Sequence, residues 1–475
     1  MMDKPREECG LFGIYNCDGL DVAEETYLAL YALQHRGQES AGIAVNDNGV
    51  IAFHKDSGLL PEVFDEKTLN DLGGGQIAVG HVRYAPSDKQ ERANAQPLVM
   101  RYVKGTLAIC HNGALTNYGE IKKELEQGGS IFQTNCDAEV IAYVIAKERL
   151  YTGSIEKAVQ NAMKKIKGAY SLVMMSPRKL IGVRDPNGFR PLSIGRLGNS
   201  YVLASETCAL DSLGAQFVRD VRPGEVVVID EEGIHSNTEQ CQENTSLCIF
   251  EYVYFSRPDS VVEGVSVHIA RQRAGMTLAK EHPVEADMVC GVPDSGLDAA
   301  LGYALESGIP YGTALIKNKY IGRTFIQETQ KKRERAVMIK LNALSAAVQG
   351  KRIVLIDDSI VRGTTCRHIV QMLRDAGAKE VHLRISSPPF LYPCYFGTDI
   401  SSKNNLIANR LTLDGICQSI GADSLGYLSV EGIRGIAKEA KVGFCDACFT
   451  GNYPIEVPKG PQEDKFSQKI VPHKG

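Results

Sequence analysis

The sequence predicts two domains of different class: an α+β layered half, then an α/β half built on a parallel sheet. Three observations carry this. Up to about residue 235, short apolar runs of strand character are mixed with helical periodicities in no strict order. Residues 236–246, SNTEQCQENTS, are polar and aperiodic, as a linker is. Beyond them strands and helices alternate, which indicates parallel pairing through crossover connections. At 475 residues the chain is long enough for two or three cores.

The strand-like runs of the first half are GTLAICHNG, AYSLVMMS, KLIGVRD, SYVLAS and GEVVVID, and apolar spacing predicts helices over 21–35, 118–127, 137–151 and 154–167. In the second half ADMVCGVPD reads as a strand, followed by a helix from Ser295 to about Glu306. IPYGTALI follows, then the strand KRIVLIDDS, a helix from about Thr364 to Ala376, and EVHLRISSP. The tail from 458 to 475 is polar and rich in Pro and Gly, so it is expected to be mobile.

Composition narrows the function classes. A charged content of 23% and a net charge of -4 describe an ordinary soluble protein, with no basic face for nucleic acid. No apolar run approaches the roughly 18 to 20 residues of a membrane helix, and MMDKPREE lacks the apolar core of a signal peptide, so a cytoplasmic location is expected. Thirteen cysteines, an odd number in a long chain, are expected as thiols, ligands or nucleophiles rather than a disulfide framework.

The most specific stretch is KRIVLIDDSIVRGTTCRHIVQMLRDAGA. A buried strand ends on Asp357 and Asp358, and the loop Ser359 to Thr365 opens a helix. Backbone N–H groups and a helix N-terminus aimed at one point suit a phosphate. Gly363 permits close approach, and the hydroxyls of Thr364 and Thr365 can donate to the same anion. The two carboxylates would repel that phosphate, so they are assigned to ribose hydroxyls or a magnesium ion beside it. In CDAC, Cys445 and Cys448 form a C-x2-C pair, and four thiolates suit zinc or an iron–sulfur cluster equally well on composition.

The loop VLIDDSIVRGTT resembles the phosphoribosyl pyrophosphate (PRPP) signature of type I phosphoribosyltransferases. The likeness extends over nearly the whole chain. ECGLFGIY, LQHRGQESAGI, GHVRY, HNGALTNY, DPNGFRPLSIG, ASETCAL, EYVYFSRPDS, GVPDSG, NKYIGRTFIQ and SSPP together resemble the amidophosphoribosyltransferases. That resemblance implies an Ntn-hydrolase-type glutaminase domain, an αββα sandwich, over 9–240, and a type I phosphoribosyltransferase domain over 247–457. It implies release of ammonia from glutamine in the first and its addition to C1 of PRPP in the second, the opening step of purine biosynthesis.

Residue by residue, the resemblance makes Cys9 the nucleophile, exposed by removal of a propeptide, residues 1–8. A free α-amine with a pKa of about 7.7 to 8 can then take the thiol proton. Asn112 and Gly113 would form the oxyanion hole, Arg83 would pair with the glutamine α-carboxylate and Asp137 with its α-amine. Asp357 and Asp358 would take ribose and magnesium with Ser295 beside them, and Ser359, Arg362, Gly363, Thr364 and Thr365 would cradle the 5-phosphate. The basic stretch 330–340 would serve as a lid. One branch of the family carries a propeptide and a [4Fe–4S] cluster, which here implies Cys248, Cys394, Cys445 and Cys448 as ligands and leaves the remaining cysteines as thiols. Inhibition by purine nucleotides and a homotetramer are expected on the same ground. One departure is visible: after GHVRY the family continues with a short Ser/Thr-Ala-Gly stretch, and this chain has APSDKQERANAQP.

Overall fold

The computed structural model describes residues 9–84, 92–318, 341–400 and 403–458. The expected propeptide, the lid stretch, the start of the loop after GHVRY and the tail beyond 458 therefore lie outside the described residues.

The first half is two stacked antiparallel sheets with helices on both outer faces. The seven-stranded sheet runs Gln216–Asp220, Ser193–Leu197, Ser200–Ala204, Gly10–Tyr15, Ile77–Arg83, Ser40–Asp47, Val50–Ser57. The six-stranded sheet runs Gly233–Asn237, Val226–Asp230, Leu180–Arg184, Gly168–Met175, Gly105–Leu115, Leu98–Tyr102. Leu11, Tyr15 and Val79 of one sheet interdigitate with Ala108, Cys110 and Val173 of the other. On the outside, Ala29, Leu30 and Leu33 pack on the seven-stranded sheet, and Ile141, Ile145 and Val159 on the six-stranded one. Four layers result, αββα, and the central strands are buried on both faces, which is why GAYSLVMM reads as one continuous apolar run.

The second half has a four-stranded parallel sheet in the order Met288–Gly291, Arg352–Asp357, Glu380–Ile385, Ser424–Tyr427. Period-two alternation sends Val354 and Ile356 to the core beneath Val267–Glu281 and Leu297–Ser307, and Ile353 and Leu355 to the core beneath Thr364–Asp375 and Leu413–Ile420.

Several boundaries differ from expectation, among them the helix expected over 21–35, which is Val22–Ala32, and that over 137–151, which is Asp137–Arg149. The helix expected over 154–167 is Ile155–Met163, because Gly168, at φ +128°, already begins the next strand. The helix expected from Ser295 starts at Leu297, after a turn in which Gly296 N–H bonds back to the Val292 carbonyl. Ser236 and Asn237 of the expected linker complete the edge strand Gly233–Asn237, pairing with Val227 and Val226.

Candidate functional sites

Cys9 is a buried residue at the head of the central strand Gly10–Tyr15, one step beyond the Gly10–Val82 pair and therefore next to Arg83. Its φ is +52°, in the left-handed region that non-glycine residues rarely occupy. Cys9 lies within electrostatic reach of Cys110 of the facing sheet. Two residues on, and so on the same inter-sheet face of Gly105–Leu115, stands Asn112. Asn112 is fully buried, and neither its Nδ2 nor its Oδ1 has a hydrogen-bond partner among the described residues. Gly113 follows at φ +128°, with the Ala169 carbonyl where a Cβ would lie only 2.2 Å away, so no side chain fits.

Asp137 opens the helix Asp137–Arg149, and its Oδ2 accepts the Leu115 N–H at 2.7 Å. Arg83 and Asp137 both bear on Cys136 and His111, so the structure gathers Cys9, Arg83, Asn112, Gly113 and Asp137 at one end of the sandwich. Burial pushes His81 down to about 3 and lowers His111 as well, which leaves both imidazoles as weak bases at neutral pH. His81 Nε2 lies 3.1 Å from the His111 carbonyl, and His111 N–H donates to Gln96 Oε1 at 2.7 Å. Sequence reasoning gives Gln96, His81 and His111 no role, although His81 and His111 lie within GHVRY and HNG and Gln96 lies in the stretch that follows GHVRY.

In the second half Asp357 and Asp358 end the strand Arg352–Asp357, both buried. Asp358 N–H donates to Asp357 Oδ1 at 2.9 Å, Ser359 Oγ donates to Asp358 Oδ1 at 2.5 Å, and Ser295 Oγ donates to Asp358 Oδ2. Ser295 thus touches Asp358 of the acid pair. Gly363 is the N-cap of Thr364–Asp375 at φ +84° and has no side chain with which to cap it, and Arg362 and Thr364 are exposed around it. An anion in this loop would meet the helix N-terminus and two threonine hydroxyls.

Strand Leu247–Cys248 pairs in parallel with Phe444–Cys445, which sets Cys248 opposite Cys445. Cys394 and Cys448 complete the lining of one cavity with them, closed by Phe189 and Phe250. Burial pushes the Cys248 thiol up to about 12 and raises Cys445 and Cys448 well above their ordinary value. An all-thiol donor set in an apolar shell fits a soft, thiolate-ligated centre. No group of three or more His, Cys, Asp or Glu among the described residues is arranged to hold a single metal ion. All thirteen cysteines are unbridged.

No helix among the described residues is long and apolar enough to cross a membrane. A glutamine amidotransferase domain family matches residues 81–212, and a phosphoribosyl transferase domain family matches 268–386. The amidophosphoribosyltransferase of Bacillus subtilis is 48% identical, over 98% of this chain and 96% of its own length. That of Synechocystis is 51% identical over 98% and 94%. The structure of glutamine PRPP amidotransferase from B. subtilis, described as complexed with ADP and GMP, superposes with a TM-score of 0.88 at 49% identity, covering 95% of this chain and 98% of that one. A structure described as the allosteric regulatory enzyme of purine biosynthesis gives 0.89 at 48%, covering 95% and 97%. Agreement of this extent, running through both sites and both halves, has one explanation: the chain belongs to the amidophosphoribosyltransferase family of glutamine-dependent pentosyltransferases.

Proposed function

We propose that the chain converts glutamine, PRPP and water to 5-phosphoribosylamine, glutamate and pyrophosphate, the first committed step of purine biosynthesis. Cys9 Sγ attacks the glutamine amide carbon while the Cys9 α-amine, freed by removal of residues 1–8, takes the thiol proton. That amine is the natural base, because burial has weakened the histidines nearby. Asn112 Nδ2 and the Gly113 N–H receive the oxyanion, with Arg83 and Asp137 on the α-carboxylate and α-amine. Ammonia leaves, water hydrolyses the thioester to glutamate, and ammonia then displaces pyrophosphate at C1 of PRPP. Asp357 and Asp358 hold ribose and Mg2+ with Ser295 fixing the second acid, and Ser359, Arg362, Gly363, Thr364 and Thr365 hold the 5-phosphate.

The observation that carries the glutaminase reading is the Asn112 amide, fully buried with both polar atoms unpartnered on the face that Cys9 heads. A group left in that state at a cost of about 1–3 kcal/mol is explained by a partner that arrives with substrate. The test is PRPP-dependent glutamate release by the purified protein, compared with Cys9→Ala. The variant should lose glutamine use and keep synthesis from ammonium; a Cys9→Ala protein that still hydrolyses glutamine would refute the assignment.

We further propose a [4Fe–4S] cluster on Cys248, Cys394, Cys445 and Cys448, supported by the four thiols that line one mostly apolar cavity together. Such a group, when bound, supplies a cross-link among three distant stretches; the four thiols' part is to close long loops, as a disulfide does. Purine nucleotides as inhibitors accord with the ADP and GMP complex of the B. subtilis relative, and a cytoplasmic homotetramer accords with the family.

A further inference from the structure

Arg36 is wholly buried and reaches in three directions. Its Nε donates to the Cys9 carbonyl at 3.2 Å, its Nη1 to Glu206 Oε1 at 2.6 Å, and its Nη1 and Nη2 to the two oxygens of Glu251 at 3.0 and 2.9 Å. Glu251 lies 215 residues away, in the five-residue helical turn Glu251–Phe255 of the second half. Arg190 Nη1 shares Glu251 Oε1 at 3.3 Å and its Nη2 holds the Phe396 carbonyl at 3.2 Å. Ser256 Oγ donates to Glu251 Oε2 at 2.8 Å. Glu206 is held in turn by His35, by Arg257 N–H at 2.9 Å and by Ser260 Oγ at 2.7 Å.

The four charged side chains are at most 1% exposed, and two arginines balance two glutamates. Such a cluster is weak evidence for stability, since apolar residues often serve as well. Its geometry has a more specific consequence. The guanidinium is a rigid plane, so a fork fixed on Glu251 also fixes where Nε points. Nε points at the carbonyl of a residue held at φ +52°, a conformation that costs of order 1–3 kcal/mol and persists only where its surroundings hold it.

We infer that Glu251 is a positioning residue for Cys9, acting through Arg36, so that the glutamine site is complete only with the second domain docked against it. This rests on the reading of Cys9 as the nucleophile. A glutamine site assembled across the interface ties ammonia release to the presence of the domain that consumes it.

Glu251→Gln in the full chain tests this, because it keeps shape while removing charge and one acceptor of the fork. Glutamine-dependent kcat is expected to fall roughly 10- to 100-fold, the scale of a small misplacement of a reacting group. Ammonium-dependent synthesis should stay within about twofold, and alkylation of Cys9 by a glutamine-like diazoketone should slow in parallel with kcat. Loss of both activities together, or no change in either the alkylation rate or glutamine kcat, overturns the inference. Should Glu251→Gln fail to fold, Ser256→Ala decides: it loosens Glu251 by one bond and should lower the glutamine-to-ammonium activity ratio, and an unchanged ratio overturns the inference. Cys9→Ala run alongside separates the two readings. If that variant uses glutamine, the nucleophile assignment fails; if it does not while Glu251→Gln is normal, only the positioning role fails.

Discussion

Asn112→Ala separates a catalytic amide from a structural one, because the two accounts predict opposite effects on stability. A buried asparagine that holds the fold through hydrogen bonds leaves its partners orphaned when truncated, at about 1–3 kcal/mol each. Asn112 has no such partners among the described residues. Truncation instead removes two unmet polar atoms, a gain of similar size, and leaves a small void costing of order 1–3 kcal/mol. The two effects offset, so Tm should move by less than about 3 °C, equivalent to roughly 1 kcal/mol in a domain of this size.

Activity should behave otherwise. Loss of one oxyanion donor lowers kcat about 10²- to 10³-fold, or roughly 2.7–4 kcal/mol. The assay is therefore threefold: thermal unfolding, glutamine-dependent synthesis and ammonium-dependent synthesis, all on the full chain. The expected pattern is unchanged Tm, glutamine use lost by that factor, and ammonium use intact. A Tm lowered by more than about 6 °C with both activities lost would make Asn112 structural, and full glutamine activity would remove it from the oxyanion hole.

Asp357→Asn and Asp358→Asn should each impair PRPP use whether glutamine or ammonium supplies nitrogen, with little loss of fold; normal PRPP kinetics in either variant would remove that acid from the ribose and magnesium assignment. Glu206→Gln should flatten the acid limb of stability. Burial works to raise the Glu206 carboxyl, but His35 and Arg36 outweigh it and hold the group well below its ordinary 4.5. A folded pKa below the unfolded one gives stability that is full above about pH 4.5 and is lost as pH falls further. Parallel wild-type and variant curves of Tm against pH below 4.5 would refute this. For the proposed cluster, anaerobic protein should hold about four iron and four sulfide per chain, and Cys445→Ser/Cys448→Ser should lose colour and fold together. Zinc in its place, or a folded and active double variant, would refute the cluster or its structural role.

What could be read from sequence was what is local. The strand Arg352–Asp357 and the loop to Gly363 are contiguous, so their chemistry is written in adjacent residues. The doubly buried strands Gly168–Met175 and Gly105–Leu115 advertise themselves as apolar runs. The helix Val267–Glu281 is hard to see in the sequence because, besides Val267 and Leu278, VHIARQRAGMTLAKE buries only alanines, a glycine and one arginine rather than a broad apolar stripe. EYVYF, rich in aromatic and branched residues, has strand composition yet forms the helical turn Glu251–Phe255, where the register of Glu251 against Arg36 overrides propensity. Arg36, Glu206 and Glu251 were beyond reach for a different reason. Their partners lie 170 and 215 residues away in sequence, and no local pattern marks a charge as buried.

The interface shows why the two halves cannot be treated as independent modules. Cys248 N–H donates to the Phe189 carbonyl at 3.1 Å, and Ser246 N–H to the Asn187 carbonyl at 2.6 Å, so the strand that presents Cys248 is bonded to the first domain on one side and to Phe444–Cys445 on the other. Phe189 stacks on Phe396 at 4.2 Å, and the adjacent Arg190 spans from the Phe396 carbonyl to Glu251. Separating the halves would take Glu251 from Arg36, and both Glu251 and the Phe396 carbonyl from Arg190, so the buried charges of the first half are matched only with the second half in place. The cysteine cavity, which Arg190 lines, and the carbonyl of Cys9 are thus joined through consecutive contacts of three residues, Arg190, Glu251 and Arg36, while Cys248, Cys394 and Cys448 also pack on the core that holds Val354 and Ile356 of the parallel sheet, so the cavity is in contact with the structure behind both sites.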